Sequence, residues 1–402
     1  MFKEDLISRE GYLSNIKPLI DVPMVKIIVG VRRSGKSYLL DMIADELLSR
    51  GIDKDHIIYK LYTDTEMEEG FDRKAMFTEL KEFIKDSEKY YFLLDEVQEI
   101  DEWEKTVNTL YEKYNVDIYV TGSNSKLTAP KISTYLSGRY VLIPTYTLSF
   151  REYLTFKNRT ASDEAYGEYV RFGGFPLIAV SHLDTQKSYE IVEGIYHSIV
   201  NKDILTNHPI KEIDKFERIV KFLMDNMGKT FSANSIANYL KSQHRQISVE
   251  SIYNYITWLK DAFIIYQCDR YDLKGKEILK TQEKYYLSDI SLRYALFGYN
   301  SSMDDALLEN IIYLELRRRG YDVYVGKNAT KEIDFIARKR DEEIEIQATV
   351  KLPTDSDREI KNLEEVKTFN HKYVVTMNRN DTQIVNGIKV IHIVDFLLMG
   401  NW

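Results

Sequence analysis

A single cysteine, Cys268, stands in 402 residues. It excludes an internal disulfide, no Cys/His cluster suggests structural zinc, and a reducing cytoplasm fits. No run of about 18 apolar residues occurs, so no transmembrane helix is expected and no membrane partner is assigned. The first ten residues, MFKEDLISRE, carry acids and lack an apolar stretch, which excludes a secretory signal at this position. Proline is scarce, at 7, while tyrosine reaches 30; this is a compositional habit, and the tyrosines receive no collective function. Net charge is −8, which argues against a whole-surface polyanion binder but leaves room for a local basic face. What is present is ordinary: 44% hydrophobic and 29% charged residues, the balance of a soluble globular chain. At about 150 residues per domain, two or three domains are expected.

Between about 24 and 145, apolar strand candidates alternate with helical patterns. Val25 to Val29, Ile57 to Leu61, Tyr90 to Leu94, Ile118 to Val120 and Tyr140 to Ile143 read as strands. Leu39, Leu40, Ile43, Leu47 and Leu48 recur at helical spacing and Gly51 supplies the stop; Met76 to Ile84 and Trp103 to Tyr114 are helical. Such alternation predicts a parallel sheet covered by helices. Residues 148 to 206 read as helices broken at Gly173-Gly174-Phe175-Pro176, a packing turn. Residues 207 to 290 have helices starting at Ser232 and Ser248, then a strand at Phe263 to Tyr266 and a turn at Lys274-Gly275-Lys276, the order of a winged helix-turn-helix. From 291 a helix (Leu307 to Arg319), strands at Asp322 to Val325, Ile333 to Ala337 and Glu343 to Ala348, a helix at Glu359 to Phe369 and a last strand at Tyr373 to Thr376 make a second α/β unit.

Gly30-Val31-Arg32-Arg33-Ser34-Gly35-Lys36-Ser37 matches G-x-x-x-x-G-K-[ST] at every fixed position, with a strand leading in and a helix leading out. Glycines let backbone wrap an anion, and loop N–H groups with the helix end face the phosphates. Lys36 can reach β- and γ-phosphate oxygens, and Ser37 can offer its hydroxyl to Mg²⁺. The nucleotide-binding set is Gly30, Arg33, Ser34, Gly35, Lys36, Ser37 and Tyr38.

Tyr91-Phe92-Leu93-Leu94-Asp95-Glu96 sets two acids at the carboxyl edge of a buried strand, where open α/β sheets bind ligands. Asp95 would hold Mg²⁺ and Glu96 would polarise the attacking water. After the next strand, Asn124 or Ser123 could orient that water. Arg139 precedes the fifth strand; it could reach a phosphate in its own site or a neighbouring subunit, or form a surface salt bridge. No base-selective N/T-K-x-D signal for guanine is evident, so ATP is the expected nucleotide.

The runs GVRRSGKS, FLLDEVQEI, VTGSN, LSGRY and LSFREYL, with the later GGFP, KYYLSDISLRYALFG and EIDFIARKRDEEIEIQ, resemble a prokaryotic group of AAA-type ATPases over nearly the whole chain. The resemblance implies a P-loop NTPase core (1–147), a helical lid (148–206), a winged helix (207–290) and a C-terminal domain of PD-(D/E)XK nuclease-like fold (291–402). It implies ATP binding and hydrolysis with Mg²⁺, and makes Arg139 the candidate arginine finger. In the nuclease pattern Asp334 and Glu345, with Glu309 on the preceding helix, would bind a second divalent metal. The position usually held by lysine is Gln347, which carries no charge. The candidate recognition helix Ser248 to Lys260 has one base and one acid, with Lys241, His244 and Arg245 beside it, a thin basic surface for DNA. Two functions follow. One is an ATPase that couples its nucleotide state to a winged helix and nuclease-like domain acting on DNA. The other is a nucleotide-regulated switch that recruits a protein partner or assembles as a homo-oligomer, without DNA binding or cleavage.

Overall fold

A computed structural model describes residues 7–63, 70–124, 127, 135–136, 138–298, 303–329, 331–340, 342–353, 357–368 and 370–400. The chain divides into two compact units. One gathers the residues up to Thr145 with Asp261–Phe263; the other gathers Tyr146–Lys260 and the chain from Ile264 onward.

The first unit is built on five strands: β1 (Val25–Val29), β2 (Ile57–Leu61), β3 (Tyr90–Asp95), β4 (Val116–Gly122) and β5 (Tyr140–Pro144). They form one sheet in the order β2-β3-β4-β1-β5, and every pairing is parallel. Strand β3 is buried along its whole length, which explains its unbroken apolar run. Phe92 and Leu94 face one core with Met76, Leu80, Val107 and Leu110, from helices Arg73–Glu82 and Trp103–Lys113. Tyr91 and Leu93 face the other core, with Leu39, Leu40, Ile43 and Leu47 of helix Lys36–Ser49. Two apolar layers therefore cover the sheet on both faces. Under the sheet, Lys26 of β1 is buried against Asp117 of β4, and the Asp117 carboxylate also accepts from Tyr119 (3.0 Å). A charge out of water needs such a partner.

The second unit combines helices with an eight-stranded sheet. Helices Phe150–Lys157, Asp163–Phe172, Pro176–Val180 and Thr185–Ile199 occupy the region read as a lid. Its two glycines meet tight quarters: Gly174 N–H donates to the buried Asp289 carboxylate (2.8 Å), and a Cβ on Gly173 would stand 1.9 Å from that carboxylate. Helices Ile213–Asp225, Ala233–Ser242 and Val249–Asp261 follow, the second capped by Ser232. The eight strands are β6 (Ile265–Asp272), β7 (Glu277–Leu287), β8 (Asp322–Asn328), β9 (Lys331–Lys339), β10 (Glu342–Thr349), β11 (His371–Thr376), β12 (Gln383–Val385) and β13 (Ile388–His392). Their order is β12-β13-β11-β10-β9-β8-β6-β7.

Two differences from the sequence reading concern this sheet. The hairpin β6–β7, read as the wing, pairs through β6 with β8 and so extends the C-terminal sheet across position 290. Tyr373 to Thr376 is not the last strand, because β12 and β13 add a hairpin beyond it. Its turn is Asn386-Gly387, both at positive φ (50° and 82°), the geometry a two-residue hairpin demands. The helix expected over Glu359 to Phe369 spans Arg358–Glu364, and Phe369 lies outside the described residues. Among the described residues, no helix is long and apolar enough to cross a membrane.

Candidate nucleotide site

The loop after β1 closes on itself. A Cβ at Gly30 would stand 1.9 Å from the Thr145 carbonyl oxygen, so only glycine lets the chain leave the sheet there. Gly35 adopts φ 98° as the residue that opens helix Lys36–Ser49, a left-handed conformation suited to glycine. Lys36, 4% exposed, turns its ammonium back into the loop and donates to the carbonyls of Gly30 (3.1 Å) and Val31 (3.2 Å). Among the described residues the Ser34 hydroxyl is buried without a hydrogen-bond partner, and a Cβ on Gly30 would lie 3.4 Å from it. Arg33 and Tyr38 are exposed, and Ser37 is half-buried in the first helical turn.

An orphan hydroxyl, an inward ammonium and a glycine cradle are the donor set a phosphate chain requires. Arg9, which sequence reading missed, braces this loop: buried, it donates to the Ser34 carbonyl (2.9 Å) and lies over the Tyr12 ring (4.4 Å). A lone arginine upstream of the motif carries no pattern that would reveal it.

The register sets β4 between β1 and β3, so the loop, the acidic pair and the end of β4 share one carboxyl edge. Asp95 is 1% exposed. Its carboxylate accepts from the Tyr59 hydroxyl (2.8 Å) and from the Thr121 hydroxyl. Thr121 Oγ1 also accepts the Glu96 backbone N–H (3.0 Å). Glu96 itself sits at φ 56°, ψ 43°, which turns the chain sharply after the strand. Burial pushes its carboxyl upward. The charge of Lys36, a hydrogen bond from Gln98, the charge of Arg32 and a hydrogen bond with Ser123 together outweigh burial and hold it below the usual value. Ser123 and Asn124 are both buried at this edge. The Ser37 hydroxyl and Asp95 carboxylate are hard oxygen donors of the kind Mg²⁺ takes.

A family model described as an AAA domain matches residues 23–154, and two models described as domains of unknown function match 163–303 and 304–396. An uncharacterized protein of Haemophilus influenzae is 39% identical over 98% of this chain and 99% of its own length. One from Methanocaldococcus jannaschii is 30% identical over 94% of this chain and 88% of its own. The chain belongs to their family, one of AAA-type P-loop ATPases. A Walker-type ATPase of Pyrococcus abyssi superposes with a TM-score of 0.51 at 16% identity, covering 74% of this chain and 96% of that one, a likeness of fold.

The AAA-type edge does not include Arg139. Tyr140 pairs with Val25, at the amino-terminal start of β1, whereas the phosphate loop follows Val29 at the other end. The Arg139 side chain is 49% exposed and pairs with Glu112 at 3.3 Å. Reach to a phosphate in its own site is therefore excluded by strand direction, and the salt bridge is what the structure contains.

Of the C-terminal acids, Glu309, Glu332 and Asp334 share the neighbourhood of Lys284, and Glu345 has other partners. Glu309 accepts from Lys284 Nζ (3.1 Å) and the Tyr286 hydroxyl (2.9 Å), and the same ammonium pairs with Glu332 (3.0 Å). Asp334 accepts the Ala348 N–H (2.8 Å), and its own N–H donates to Gln347 Oε1 (3.2 Å). Burial, and then the charge of Glu309, push the Asp334 carboxyl well above its usual range. Glu345 Oε1 accepts from the Thr368 hydroxyl and Asn370 Nδ2 (3.2 Å), while Oε2, 3.6 Å from Lys372 Nζ, is buried without a hydrogen bond among the described residues. Among the described residues no group of three or more His, Cys, Asp or Glu side chains could hold a metal. Asp334, Glu345 and Glu309, where a metal centre was expected, do not form such a group among the described residues. A built-in ammonium, Lys284, holds Glu309, which the metal would need.

The helix read as a recognition helix is also sparing in charge. Arg245 beside it pairs with Asp214, as does Arg218 (3.4 Å). Tyr253, 57% exposed, dominates its outer face.

Proposed function

We propose that this protein is an Mg²⁺-dependent ATPase whose second unit is a nucleotide-regulated interaction module and not a nuclease. The observation that carries the first half is the shared edge: the Gly30–Ser37 loop, Asp95–Glu96 and Ser123–Asn124 lie at the carboxyl ends of the adjacent strands β1, β3 and β4. In this reading Gly35, Lys36 and the helix N-terminus bind the β- and γ-phosphates of ATP. Ser37 and Asp95 hold Mg²⁺. The ion, when bound, neutralises phosphate charge. Glu96, kept ionised, accepts a proton from the attacking water. Asn124 or Ser123 orients that water. Arg139 serves only if a neighbouring subunit takes it up.

The second half is supported by the committed partners of Glu309 and Glu345 and by Arg245 paired with Asp214. Purified protein is expected to release phosphate from ATP in Mg²⁺ and not in excess chelator, at a rate that duplex DNA leaves unchanged. Failure to bind or turn over ATP would sink the ATPase reading, and strong stimulation by DNA would restore DNA as the target. Incubation of plasmid and single-stranded DNA with Mg²⁺ or Mn²⁺, with and without ATP, is expected to give little or no cleavage. Robust cleavage that Asp334→Ala removes would make this an ATP-coupled nuclease.

A further inference from the structure

Gln98 lies three residues beyond the acidic strand, in the short turn Val97–Glu99. It is 6% exposed, so it belongs to the interior although it is polar. Its Nε2 donates to the Glu96 carboxylate and lies 3.4 Å from Ser123 Oγ and 3.5 Å from Glu99 Oε1. Its Oε1 is buried with no hydrogen-bond partner among the described residues. That oxygen is turned against Gly122, where a Cβ would stand 2.4 Å away. An amide buried for packing alone would satisfy both ends or give way to an apolar side chain. Here one end is left unsatisfied while the other holds a charged carboxylate. Gly122, the last residue of β4, leaves the room that lets it do so.

We propose that Gln98 is a positioning residue for ATP hydrolysis, fixing the Glu96 carboxylate against Ser123 at the mouth of the phosphate loop. This rests on the assignment of Glu96 as the group that takes the proton from water. The backbone of Glu96 is fixed by Thr121, but its side chain has rotatable bonds that the backbone does not fix. Gln98 supplies the missing constraint. It spans β3's exit and β4's end, so the carboxylate and Ser123 are held as one arrangement. A carboxylate displaced by even an ångström loses much of its effect on a reacting water.

The test is Gln98→Met, which keeps length and volume and removes the amide, measured beside Glu96→Gln and the double variant. Gln98→Met is expected to lower kcat about ten- to a hundredfold. KM for ATP and the melting temperature should stay at wild-type values. In the Glu96→Gln background the same change should have no further effect, because there is no carboxylate left to position. If Glu96→Gln is slow but Gln98→Met turns over like the wild type, Gln98 is a packing residue and the inference is overturned. Full turnover by Glu96→Gln removes the assignment beneath it and overturns both.

Discussion

Glu96→Gln should retain ATP with Mg²⁺ and hydrolyse it about two to four orders of magnitude more slowly, the usual worth of a positioned acid-base group. Glutamine has the shape of glutamate, so the left-handed turn at this position and the Thr121 bond to its N–H need not change. What disappears is the negative charge. In the wild type, burial works against that charge, yet Lys36, Gln98, Arg32 and Ser123 together keep the carboxyl below its usual value. The group is therefore ionised at neutral pH and loses activity only when acid protonates it. A variant without a titrating group should lack that acid limb as well as the rate. Phosphate release in a single turnover reads the chemistry, and titration with a fluorescent ATP analogue reads binding. Wild-type turnover with the glutamine would move the proton acceptor elsewhere, with Asn124, buried at the same edge, next in line.

Much of the first unit was legible because its signals are local. Val25 to Val29 is a strand over its expected range, four apolar residues and Lys26, all buried. The phosphate loop is a fixed spacing of glycines and a lysine, and Asp95 follows its strand directly. The hydroxyls that hold Asp95 were not legible: Tyr59 lies 36 residues away and Thr121 lies 26 away, and sheet order alone unites them. Arg139 shows the converse. Its position before a strand was visible, but which end of the sheet that strand begins at depends on all four pairings. The surroundings of the C-terminal acids were illegible for a related reason. Asp334 and Glu345 match a pattern in one dimension, while Lys284, Thr368 and Asn370, which decide what those acids do, come from other strands and loops. The Asn386-Gly387 hairpin, by contrast, was signalled by its turn residues and should have been counted.

Lys36→Ala should weaken ATP binding by roughly a hundred- to ten-thousandfold, enough to abolish detectable binding at ordinary concentrations. The figure follows from two charge-assisted hydrogen bonds to phosphate, each worth about 1.5–3 kcal/mol, with about 1.4 kcal/mol per tenfold. The fold should survive. Alanine is the strongest helix former, and helix Lys36–Ser49 is anchored by Leu39, Leu40, Ile43 and Leu47. The ammonium's partners include two loop carbonyls, at 3.1 and 3.2 Å, and its loss leaves the loop's backbone N–H groups in place. Those N–H groups and the helix dipole would still draw phosphate weakly, so a residual affinity is consistent with the assignment. A melting curve like the wild type's, together with lost binding, isolates the charge as the cause. Unchanged affinity would mean that the phosphates lie elsewhere. The convergence of Gly30, Ser34 and Lys36 would then be a structural turn, and the roles given to Asp95 and Glu96 would fall with it.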